Sequence, residues 1–109
     1  MTFEEVADLV HLQVGDAFMR TNDHGISLQE SLVRPERMSV IARTVQGGRV
    51  KDQVLNVWLI GQEGRIDGYK IIMRDDGLQF GLASSGFPAD KYPVLVGWYG
   101  NLMSAFMSM

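Results

Sequence analysis

Two histidines, His11 and His24, are the only imidazoles in the chain, and there is no cysteine. A nucleophile needs a base within reach and a group that orients the base. Ser84 and Ser85 lie in ASSGF, which lacks the G-x-S-x-G order of a nucleophile elbow and reads as a loop with hydroxyl caps. Metal binding would need clustered ligands. The adjacent pairs Asp23-His24 and Asp75-Asp76 have neither H-E-x-x-H nor EF-hand spacing. Asp75-Asp76-Gly77 is better read as hairpin-turn chemistry, and His24, before Gly25, as a residue near a helix C-terminus. Gly47-Gly48 and Gly61-x-x-Gly64 lack the following G-K-[ST] of a phosphate cradle. Gly81, inside an apolar run, marks a bulge or a close backbone approach. On this reading no residue is assigned to catalysis, to a cofactor or to a metal.

Charge is more informative than chemistry. The net charge of −3 hides an asymmetry: residues 1–30 carry six acids and one base, residues 31–74 eight bases and four acids, residues 75–109 three acids and one base. Glu4, Glu5 and Asp8 share one side of the first helical segment and form an acidic face able to meet a basic partner. The basic middle reads as the solvated side of an antiparallel sheet. A pI of about 5.2, with only Trp58 and Tyr69 aromatic in that stretch, argues against nucleic acid.

These residues must be carried by a small number of elements. A chain of 109 residues forms one domain, 1–109, and can bury a core without disulfides. Thr2 and Glu5 form a T-x-x-E capping box. Phe3, Val6, Val10, Val14 and Phe18 then recur at helical spacing, which predicts a helix from about residue 3 to about 20. TNDHG stops it. Five strands follow: ISLQESLV, RMSVIARTV after a break at Pro35, VKDQVLNVWLI after the QGG turn, RIDGYKIIM, and LQFGLAS after RDDG. Asp90 is placed to cap a closing helix. In that helix Leu95, Trp98, Leu102 and Phe106 form an apolar stripe over the sheet, while Tyr99 and Met103 lie at its flanks. The expected fold is α+β: two layers, an open antiparallel meander of four to five strands, and an amphipathic helix at each end in the order α-β-β-β-β-β-α.

Residues 92–109 carry no charge and reach the lower limit of a membrane span. Pro93, Gly97, Gly100, Asn101, Ser104 and Ser108 make the segment amphipathic, so no membrane association is expected. The acidic start MTFEEVADLV lacks the basic region of a signal peptide, which points to the cytoplasm.

Two functional expectations follow. The first is a small non-enzymatic protein-binding protein without a cofactor, with Glu4, Glu5, Asp8, Tyr99 and Met103 as candidate contacts and a basic protein as partner. In size and outline it resembles the immunity proteins that neutralise bacterial toxins and the dedicated secretion chaperones, though no motif carries the resemblance. Self-association into a homodimer fits either expectation. The second is a small-molecule binder or small enzyme with a pocket between sheet and helices, near Trp58, Tyr69, Asp67 and His11.

Overall fold

The computed structural model describes residues 1–64, 68–85 and 90–109. The chain runs α1 (Phe3–Val14), α2 (Leu28–Ser31), β1 (Leu32–Gln46), β2 (Arg49–Gln62), β3 (Tyr69–Arg74), β4 (Phe80–Ser84), β5 (Val94–Gly100) and α3 (Leu102–Met107). The class is α+β with a helix towards each end, as expected.

The first helix starts where the capping box places it. The Thr2 hydroxyl accepts from the Glu5 amide at 3.2 Å and Glu5 Oε1 accepts from the Thr2 amide at 3.0 Å. It ends at Gly15, whose φ of 51° suits glycine. ISLQESLV is not a strand. Ser27 caps the short helix α2 by accepting from the Glu30 amide, and only Leu32 and Val33 enter β1. Pro35 does not end that strand. It lies within a register shift between Leu32 and Glu36, an irregularity that tolerates a residue with no amide proton.

The sheet departs further from expectation. Successive strands pair antiparallel, as in a meander, but β5 also meets β1 in a parallel bridge at Ile41↔Val94, with the Ile41 amide donating to Pro93 O at 2.8 Å. The sheet is therefore a closed, mixed five-stranded barrel, not an open antiparallel layer. The fifth strand is the part of the tail expected to be helical. Val94, Val96, Trp98 and Tyr99 are strand formers, and two internal glycines would weaken a helix there. Gly100, at φ 84°, turns the chain, and the Asn101 side chain accepts from the Ser104 amide to start α3. Asp90 caps no helix; it binds Arg43.

Closure explains why both sheet faces are apolar. On the inner face, Val40, Val57, Ile72 and Ala83 are buried with Met38, Leu55, Leu95 and Trp98 packed against them, so every strand contributes. Trp98 lies against the bare Gly81 backbone: a Cβ there would fall 2.7 Å from its Cε3 and 2.4 Å from Gly97 O. Gly81 thus marks a close approach, and the β4–β5 register shifts beside it. The outer face carries Trp58, Ile60, Ile71, Met73, Phe80 and Leu82, covered by Val6 and Val14 of α1 and by Leu102, Ala105 and Phe106 of α3. Each fully buried aliphatic or aromatic side chain contributes on the order of 1.5–3 kcal/mol. The uncharged tail therefore supplies both the closing strand and part of the covering layer.

Candidate interaction surface

Beyond the barrel, β1 and β2 continue as a two-stranded ribbon. Among the described residues, neither Ala42–Gln46 nor Arg49–Asn56 pairs with a third strand: β5 meets β1 only at Ile41, and β3 joins β2 from Val57. The tip is a two-residue turn, Gly47-Gly48, with φ of 56° and 77°, the signs that a type I′ hairpin requires and that glycine adopts without strain. Every residue from Thr44 to Val54 is exposed. Among them Val45 is 71%, Val50 64% and Val54 57% accessible, although valine favours half-buried strand surfaces.

Register fixes what each ribbon face presents, because directly opposed residues point the same way. One face shows the pairs Val45↔Val50, Arg43↔Asp52 and Ile41↔Val54. The other shows Gln46↔Arg49, Thr44↔Lys51 and Ala42↔Gln53. Arg43 is clamped. Its Nε and Nη2 donate to the two Asp52 carboxylate oxygens at 2.9 and 3.0 Å, and Nη2 also donates to Asp90 Oδ1 at 2.8 Å. These hydrogen bonds raise the Arg43 pKa and hold the Asp52 carboxyl below its ordinary range. Arg49 and Lys51 have no ion-pair partner among the described residues.

The expected contact residues lie elsewhere. Glu4, Glu5 and Asp8 are exposed on α1. The Glu5 carboxylate is engaged by the Thr2 amide, which lowers its pKa, leaving Glu4 and Asp8 as the acids of that face with no ion-pair partner among the described residues. Tyr99 and Met103 are half-buried and pack against the helix-covered core.

Two cavities among the described residues bear on the site. A groove of about 360 Å³ runs between α1 and the start of β1; Val10, Val14, Leu32 and Pro35 line it, with His11 and Phe18 at its rim. Of the residues expected near a pocket, only His11 reaches this one. Trp58 is buried in the core with its indole N–H lacking a hydrogen-bond partner in the described residues, and Asp67 lies outside the described residues. Tyr69 stacks on His24 with ring centroids 6.3 Å apart. His24 is not at a helix end; its Nδ1 lies 3.3 Å from Oε1 of Glu63, which is only 7% exposed and also accepts from the Tyr69 amide. This cluster ties the loop after α1 to the β2–β3 connection.

The second cavity, about 420 Å³, opens at the barrel mouth, with Leu55, Val57 and Trp98 below and Arg74, Asp75 and Asp76 at the rim. Its charges are committed. Arg37 pairs with Asp75 and Arg74 with Asp76. Arg37 lowers the Asp75 pKa, and the Leu78 amide, followed by Arg74, lowers that of Asp76. No group of three or more His, Cys, Asp or Glu side chains among the described residues is placed to hold a metal ion. No helix among them is long and apolar enough to cross a membrane.

No protein-family model matches the chain, no curated protein matches it, and no solved structure matches it. The two strands and the QGG turn of the ribbon are expected from the sequence; its extension beyond the barrel is not, because that depends on where β3 and β5 stop pairing.

Proposed function

We propose that the protein is a non-enzymatic protein-binding module that engages its partner through the β1–β2 ribbon, in the manner of a neutralising or chaperoning protein. One observation supports this reading: the ribbon extends beyond the strands that close the barrel, with Val45, Val50 and Val54 exposed. A lone two-stranded hairpin is marginal in water, so a ribbon of this length gains stability from being covered. The exposed acids Glu4 and Asp8 of α1 form a second contact region for a basic partner.

The test compares the intact chain with one in which Thr44–Lys51 is replaced by Asn-Gly, closing the hairpin directly on the Arg43–Asp52 pair. The expected outcome is a stoichiometric partner retained by the intact chain and lost by the shortened one, with melting temperatures within a few degrees. A shortened chain that keeps every stoichiometric partner refutes the proposal.

A second reading rests on the groove between α1 and β1, whose apolar lining and single imidazole suit a small apolar ligand. Widening it with Phe18→Ala changes ligand affinity if that groove is the site, and leaves partner binding by the ribbon untouched.

A further inference from the structure

We infer that the ribbon's partner is an extended peptide strand of alternating apolar and acidic residues, added to the free edge of β2 over Arg49–Asn56. This rests on the ribbon being the binding surface. The free edge presents backbone N–H and C=O groups that no strand or helix among the described residues satisfies, which is the template for strand addition. The edge of β1 is the poorer choice. It is free only over Ala42–Gln46, and Asp90 lies across Arg43 beside it.

Chemistry then specifies the occupant. A residue added opposite Val50 or Val54 shares their face and meets exposed valine, so an apolar side chain fits there. A residue opposite Arg49 or Lys51 lies on the other face, beside a cation without an ion-pair partner among the described residues, so a carboxylate fits there. The two demands fall on alternate positions, which is the period of a strand.

A second copy of this chain leaves the charge demand unmet, because Asp52, the one acid within Arg49–Asn56, lies on the opposite face from Arg49 and Lys51. In an antiparallel twofold pairing of two β2 edges, residues of like parity oppose each other. Centring the axis on Lys51 sets lysine against lysine, centring it on Asp52 sets aspartate against aspartate, and centring it on Val50 sets Arg49 against Lys51. Like charges directly opposed are destabilising, and no register of two β2 edges sets an acid against Arg49 or Lys51, so the edge favours an acidic strand over its own copy.

The probe is a short end-blocked peptide of alternating valine and glutamate, used below its own association concentration, with a valine-lysine peptide as control. It is titrated into the full chain and followed by amide chemical shifts and hydrogen exchange. The expected result is saturable binding with shifts and new exchange protection confined to Arg49–Asn56, weakening with salt. The double variant Arg49→Glu/Lys51→Glu, altered only at exposed positions, should bind that peptide about tenfold or more weakly and gain affinity for the valine-lysine peptide. Shifts that map to the α1–β1 groove, equal binding by the variant, or no binding overturn the inference. In the last case the ribbon charges serve only to keep the edge unpaired. If the shortened ribbon still loses its native partner while the acidic peptide fails to bind, this inference falls and the protein-binding reading stands. If the shortened chain keeps its partners, both fall.

Discussion

Gly81 of β4 and Gly97 of β5 are near neighbours across the β4–β5 pair, opposed to Trp98 and Leu82 respectively, and the barrel predicts opposite fates for them. Alanine in place of a strand glycine normally gains about 0.5–1 kcal/mol, because the unfolded chain has less freedom to lose. At Gly97 that gain should survive. A Cβ there meets nothing closer than the Tyr99 hydroxyl oxygen at 3.5 Å, an ordinary contact. At Gly81 the same methyl group would stand 2.4 Å from Gly97 O and 2.7 Å from Trp98 Cε3. The first of these is backbone and cannot rotate away, so β4 and β5 must separate or Trp98 must leave the barrel interior. Overpacking of this kind costs about 1–3 kcal/mol. For a domain of this size Gly81→Ala should lower the melting temperature by about 4–15 °C, while Gly97→Ala leaves it unchanged or slightly raised. Urea unfolding followed by circular dichroism and tryptophan fluorescence measures both, with midpoints compared at a common slope. If Gly81→Ala matches Gly97→Ala or stabilises the protein, Trp98 is not packed on the β4 backbone and the account of the closed barrel is wrong.

Asn22 is buried in the loop after α1; its amide nitrogen donates to Phe106 O and Met109 Sδ, and its side-chain oxygen accepts from the His24 and Ile26 amides. Asn22→Ala strands several of these groups and should cost roughly 1–3 kcal/mol by chemical unfolding, with Asn22→Asp between it and the parent. Phe106, fully buried on the core-facing side of α3, should cost about 3–5 kcal/mol on truncation to alanine, measured the same way. The folded-state pKa values of Asp52 and Asp75 lie below their unfolded values because of Arg43 and Arg37, and that of Asp76 chiefly because of the Leu78 amide. Their contribution is therefore complete above the ordinary aspartate range near 4 and is lost as pH falls through the folded values. Melting curves between pH 7 and 2.5 should show that loss, and Arg37→Gln/Arg43→Gln should flatten it; identical pH profiles for the two proteins would contradict this.

Local signals in the sequence were read well and closure was not. The Thr2–Glu5 box, the Asp76-Gly77 turn and the special role of Gly81 all depend on interactions within a few residues or on backbone space, and each is found where its residues place it. The tail misled because Leu95, Trp98, Leu102 and Phe106 satisfy a helical period by coincidence. Leu95 and Trp98 face the barrel interior from β5, whereas Leu102 and Phe106 face the outer core from α3. Two glycines, two valines and adjacent aromatics were the contrary signal. ISLQESLV misled in the same way, since Ser27 and Glu30 form a cap that outweighs the apolar alternation. Nothing local distinguishes an open meander from a barrel, because the deciding contact joins Ile41 to Val94, roughly half the chain apart. As for the candidate site, the acidic α1 face was legible from spacing. The ribbon was not, because its exposure depends on where β3 and β5 stop pairing.

The bridge between Ile41 and Val94 also orders events during synthesis. As the polypeptide leaves the ribosome, β1 to β4 can zip up hairpin by hairpin through contacts between sequence neighbours. Until residues 94–100 emerge, the interior residues Val40, Val57 and Ile72 face water, and the outer core lacks α3 as well. The nascent chain thus passes through a stage with two sticky margins and an unroofed interior, the form most open to aggregation or to capture by a holdase. A single short strand ends that stage, so damage to β5 should reduce soluble yield more than its share of equilibrium stability would suggest.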